Sequence, residues 1–192
     1  MNGFVKIVED LLRGTGLPEE SVFVGAKLEL PGFFRPAKKW DLLVVHRGVL
    51  IASIEFKSQV GPSFGNNANN RAEEAVGNAT DLHAAFREGA FKPSPRPWMG
   101  FFMLLDESDA STKPVGVEEP HFPVFEEFRD ASYAKRYELL CLKLVREGLY
   151  DSAAFVLSGR EGGLKGRYRE PNEEIAFKAF AASLVGRVSA AL

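Results

Sequence analysis

Apolar positions divide this chain into helical and extended stretches. Phe4, Val5, Ile7, Val8, Leu11 and Leu12 recur at helical spacing behind Asn2, the expected N-cap, and Gly14 and Gly16 stop that helix. Residues 21–30 alternate as a strand does. Pro31 and Gly32 make a turn, and residues 33–39 read as a loop. Two apolar strands follow, 40–46 and 49–57, joined across Arg47 and Gly48. Residues 59–70 read as a second loop, built from Gly61, Pro62, Gly65 and a run of asparagines. From Arg71 to Arg87 the helical period returns, with Ala72, Ala75, Val76, Ala79, Leu82 and Phe86 on one face. Residues 98–105 are continuously apolar, as in a strand buried on both faces. A long irregular loop covers 106–123, and 132–148 form a strongly amphipathic helix. Residues 153–157 make a short strand. Residues 158–169 are glycine-rich and basic, holding Arg160, Lys165, Arg167 and Arg169. A last helix opens at Pro171 or Asn172. The order is helix, three strands, helix, strand, helix, strand, helix. It predicts an α/β fold with a mixed β-sheet flanked by α-helices. No linker divides the chain, so residues 1–192 read as a single domain.

Composition changes this picture little. The 192 residues are 45% hydrophobic and 26% charged, ordinary for a globular domain with its own core. The net charge of -2 does not by itself advertise nucleic-acid binding. It does not exclude it either, because acids gathered around a metal offset basic residues elsewhere. The single cysteine, Cys141, sits on the apolar stripe of the 132–148 helix, so it reads as a small buried hydrophobe. With no internal disulfide, a cytoplasmic setting is expected. His46, His83 and His121 are scattered and predict no His/Cys metal site. No apolar run approaches the ~20 residues of a membrane span.

Charge placement is more informative. The central strands carry Asp41, Glu55 and Lys57 among apolar residues. Charges in such a setting are paired, bind metal or do chemistry. Asp41 followed by Glu55-x-Lys57 is the pattern of a Mg2+-dependent phosphodiesterase site. Two carboxylates, a backbone carbonyl such as that of Phe56, and waters suit an octahedral Mg2+. The metal lowers the pKa of bound water and stabilises charge on the phosphate. The lysine orients or deprotonates that water, or offsets charge in the pentacovalent state. The bland alternative is a structural Glu55–Lys57 ion pair.

Glu55 and Lys57 share a strand face, with Ser53 and Ile51. Asp41 joins them only if the hairpin is irregular. A two-residue turn with regular pairing sets Asp41 opposite Ile54, on the other face. A three-residue loop with a left-handed Gly48 sets it opposite Ser53. A bulged or odd-length turn at Gly48 is therefore expected.

The stretch EFKSQVGPSFGNNANNRAEEAVGNATDLHAAFREGAF resembles the XhoI-type type II restriction endonucleases. So do RPAKKWDLLVV before it, PRPWMGFFMLLDE after it and ASYAKRYELLCLKLV further on. The resemblance spans nearly the whole chain. It implies the PD-(D/E)xK fold, a restriction-endonuclease-like core. It implies Mg2+-dependent cleavage of double-stranded DNA at a palindrome like CTCGAG, leaving 5′ overhangs. It also implies a separate DNA methyltransferase partner, and a palindromic target suits a homodimer. Asp41, Glu55 and Lys57 match the family's catalytic residues. Trp40 replaces the proline of the general motif, and typical members carry additional sequence before the first helix. A structure-specific repair or junction nuclease, or a non-catalytic DNA-binding relative, are the alternatives.

Within that resemblance, Asn66, Asn67, Asn69, Asn70 and Arg71 can read adenine or guanine edges in the major groove, or simply serve turns and caps. Gln59 joins them as a DNA-contact candidate. Arg35, Lys38 and Lys39 suit phosphate contacts. Glu73, Glu74 and, more remotely, Glu9 are candidates for an extra acid.

Overall fold

A computed structural model describes residues 1–192. Five strands form the main sheet: β1 (Val22–Val24), β4 (Leu42–His46), β5 (Val49–Gln59), β6 (Trp98–Asp106) and β7 (Ser152–Ser158). Their order is β1-β4-β5-β6-β7. The first two pairings are antiparallel and the last two parallel, so the sheet is mixed. β2 (Glu29–Pro31) and β3 (Ala37–Lys39) form a separate hairpin.

Helices cover both faces. α2 (Phe64–Arg87) and α4 (Tyr133–Arg146) pack on one face, burying Ala75, Ala79, Leu82, Tyr137, Cys141 and Leu144 against Phe101, Met103 and Phe155. α1 (Asn2–Arg13) and α6 (Phe177–Ser189) cover the other face, burying Val8, Leu12, Phe180 and Leu184 against Ile54, Phe102 and Val156. β6 and β7 are buried on both sides, which explains their unbroken apolar runs.

Three local expectations are corrected. The single strand expected over 21–30 is broken, because Gly25 (φ 79°) and Lys27 (φ 56°) turn left-handed between β1 and β2. The loop expected over 33–39 contains β3. The loop expected over 59–70 is mostly the start of α2, so Asn66, Asn67, Asn69 and Asn70 lie on a helix. Asn and Gly are weak helix formers. Packing decides here: Phe64 is buried and its ring stacks on Tyr133, with centroids 5.7 Å apart. Short helices α3 (Asp109–Thr112) and α5 (Arg160–Gly163) punctuate the other irregular stretches.

Candidate active site

The β4–β5 hairpin decides which charges meet. Its turn is tight: His46 pairs with Val49 across Arg47 (φ 50°) and Gly48 (φ 77°), both left-handed. That is the two-residue geometry favoured by strand twist. No bulge lies at Gly48. The register shifts further along, between Val44–Ala52 and Val45–Leu50, leaving Ile51 as the extra residue of β5. Ile51 and Ala52 consequently both enter the α1–α6 layer, so Ile51 does not share the face of Glu55. Beyond the bulge Leu42 pairs with Ile54. Extending that register by one residue sets Asp41 opposite Glu55, two residues further along β5 than the Ser53 position expected. The condition for a shared face is met by a bulge in the strand, not in the turn.

The local contacts fit that register. The Phe56 N–H donates to Asp41 Oδ2 at 2.7 Å, and the Asp41 N–H reaches the Ile54 carbonyl at 3.3 Å. In a strand, N–H and C=O of one residue point to the same side. The Phe56 carbonyl therefore faces the edge where Asp41 sits, beyond the end of β4.

Glu55 is 2% exposed and lies between two lysines. Lys57 Nζ is 2.6 Å from Oε1, and Lys38 Nζ is 2.8 Å from Oε2. The Lys38 contact is an ion pair without hydrogen-bond alignment, so buried Oε2 has no hydrogen-bond donor. Lys57 also faces Glu74 of α2 at 3.3 Å, and Arg71 holds Glu74 at 2.7 Å.

These environments bias the charges. Burial raises the Asp41 carboxyl above its usual value; the Phe56 N–H pulls it down and the Glu55 charge adds to the rise. For Lys57, burial opposes the ammonium, but Glu55 and then Glu74 outweigh it and the pKa is raised. Lys57 is thus a fixed positive charge beside the carboxylates, suited to offsetting charge on a phosphate. Burial works to raise Glu74 too, yet Arg71 and Lys57 hold it below the usual range.

The donor set fits a hard divalent cation. Asp41, Glu55 and the Phe56 carbonyl offer oxygen only, and buried Glu55 Oε2 has only the unaligned Lys38 ammonium beside it. No group of three or more His, Cys, Asp or Glu forms a self-sufficient cage, so waters would complete the coordination.

The remaining predicted residues scatter. Lys38 is in the site itself. Lys39 is exposed beside it. Arg35 is pinned to α2, with Nε 2.8 Å from Asp81 Oδ2 and Nη2 2.7 Å from Asn78 Oδ1. Gln59 is buried and donates to the Val60 carbonyl. Asn66, Asn69 and Asn70 are exposed along the first turns of α2. Asn67 is half-buried and donates to the Ser63 carbonyl. Arg71 is occupied with Glu74. Glu73 is exposed on the same helix. Glu9 pairs with Arg13 and Lys6 on α1, across the sheet from Glu55.

One buried residue escaped the sequence reading. Asp81 accepts the Phe33 and Phe34 N–H groups at 2.8 Å each, besides Arg35. It locks the 32–36 loop, and with it the hairpin carrying Lys38, onto α2. Its signal was present: Asn78 and Asp81 interrupt the apolar stripe of Ala75, Ala79, Leu82 and Ala85.

Comparison with known proteins gives the family of the chain. The model of the restriction endonuclease XhoI family matches residues 1–170. The chain is 52% identical over 194 residues to type II restriction enzyme BstVI of Geobacillus stearothermophilus, covering 98% of this chain and 87% of the relative. It is 47% identical over 150 residues to type II restriction enzyme XhoI of Xanthomonas vasicola, covering 77% and 60%. It is 52% identical over 123 residues to type II restriction enzyme AbrI of Azospirillum brasilense, covering 64% and 55%. No solved structure matches significantly. With a family match across most of its length, and a relative this similar over nearly all of it, the chain belongs to the restriction endonuclease XhoI family.

Proposed function

We propose that this protein is a type II site-specific deoxyribonuclease. It hydrolyses both strands of DNA with Mg2+ at a CTCGAG-like palindrome and leaves 5′ overhangs. It acts as a cytoplasmic homodimer in a restriction–modification system with a separate DNA methyltransferase. The observation that carries the reading is the bulge at Ile51, which brings Asp41 opposite Glu55 on the face that also holds Lys57. Family membership and the relatives' activity supply the substrate class.

Asp41, Glu55 and the Phe56 carbonyl would hold Mg2+, which when bound supplies an activated water and neutralises phosphate charge. Lys57, protonated and held by Glu55 and Glu74, stabilises the charge that develops on the scissile phosphate. The exposed Lys39, Asn66, Asn69 and Asn70 are groups available to the duplex. Two-fold-related copies of one site suit a palindrome.

The test is digestion of a sequenced, unmethylated plasmid with purified protein and Mg2+, beside Asp41→Ala, Glu55→Ala and Lys57→Ala. Discrete fragments ending at one palindrome are expected from the wild type. Each variant should lose roughly a hundredfold or more in cleavage rate. Lys57→Ala should keep DNA binding in a mobility-shift assay. Nicking governed by DNA structure, or binding without cleavage, would overturn the reading.

A further inference from the structure

Glu55 is a carboxylate buried in the middle of a sheet, and its charge must be compensated. Two lysines do so, one on each oxygen, and they are not equivalent. Lys57 stands two residues along the same strand and has a second anchor in Glu74, itself held by Arg71. Lys38 reaches in from the β2–β3 hairpin, outside the five-stranded sheet. Its other contacts are weak: the carbonyl of its neighbour Lys39 at 3.1 Å and the Trp40 ring, 4.8 Å from Nζ to centroid.

We propose that Lys38 is a placeholder cation that competes with the divalent metal for Glu55 Oε2. The inference rests on the reading that Asp41 and Glu55 are the metal-holding acids. A dication and an ammonium sharing one buried carboxylate oxygen repel strongly. One of them must yield, and Lys38 is the lysine held otherwise only by the Lys39 carbonyl and the Trp40 ring, with no second carboxylate. Its side chain is only 12% exposed, so it is sheltered at the site and not a solvated surface group. Lys38 therefore stabilises the folded protein without metal and weakens metal binding by the same contact. The role differs from that of Lys57, whose anchors on Glu55 Oε1 and Glu74 leave Oε2 untouched.

The test measures Mn2+ binding to DNA-free protein by calorimetry, for wild type, Lys38→Met and Glu55→Gln. Methionine keeps an apolar stem against Trp40 and removes the charge. Lys38→Met should bind Mn2+ at least about tenfold more tightly than wild type, since a competing charge at this distance is gone. It should melt at a lower temperature than wild type without metal, and gain more in melting temperature when Mn2+ is added. Glu55→Gln should lose Mn2+ binding. If Lys38→Met does not fold, Lys38→Gln is expected to show the same gain. Unchanged or weaker Mn2+ binding in the folded Lys38 variant would overturn the proposal. Failure of the underlying reading looks different: wild type leaves DNA uncut, and Glu55→Gln binds Mn2+ as wild type does.

Discussion

Asp41 shows the conflict between stability and chemistry at one residue. Burial disfavours its ionised form, and the nearby Glu55 charge adds to that. Its folded pKa lies above the ordinary value of 3.8, so the folded state binds the proton more tightly than the unfolded chain. The sign follows: stability falls as pH rises from the ordinary carboxylate value through the raised one, and the full cost is present at neutral pH. Asp41→Asn keeps an acceptor for the Phe56 N–H and removes the charge. It is expected to melt higher than wild type at neutral pH, by about 2–4 °C for each kcal/mol relieved, while losing cleavage. The advantage should shrink as pH falls toward the ordinary carboxylate range. Thermal melts across that range check both statements; a lower melting temperature at neutral pH would mean the charge is better solvated than its burial indicates.

At the scale of elements, the hairpin separates what the sequence exposed from what it concealed. Asp41, Glu55 and Lys57 stood out because charges are costly among apolar strand residues. The need for an irregularity followed from the two-residue period of a strand. Its position did not follow, because Ile51 is one apolar residue among many and either layer accepts it. The structure sets the register at Ile51 and leaves the turn regular. Gly48→Ala should therefore cost stability, roughly 1 kcal/mol for forcing a side chain into φ 77°. It should leave the cleavage rate per folded molecule unchanged. A denaturant melt and an initial-rate assay on the same preparation check this. A large loss of activity in folded Gly48→Ala would return control of the register to the turn. The start of α2 was hidden for a different reason: Phe64 packing overrides the weak propensity of Gly65 and the asparagines.

Across the whole molecule, the chain order of the main elements and a mixed sheet flanked by helices were largely legible, since unbroken apolar runs mark buried strands and three-four spacing marks the helices. Contacts distant in sequence were not. Lys38 and Glu55 meet only because the β2–β3 hairpin folds over the site, and Asp81 holds that hairpin from a helix 46 residues beyond Arg35. Burial alone would raise the Asp81 pKa, but the Phe34 and Phe33 N–H groups and Arg35 more than offset it and the pKa is lowered. A lowered carboxylate contributes stability above its ordinary value and loses it as pH falls through the lowered one. Asp81→Ala should destabilise the protein by about 2 kcal/mol at neutral pH, because three donors lose a buried, charged acceptor. The difference from wild type should narrow in acid. Hydrogen exchange should quicken first at Phe33 and Phe34, whose N–H groups Asp81 accepts. Mn2+ binding should tighten with it, since the same clamp fixes the hairpin that brings the competing Lys38 to Glu55. Exchange confined to Phe33 and Phe34, with Mn2+ binding unchanged, would mean the hairpin keeps its place through Trp40 and Leu28, which are buried in the core beneath it.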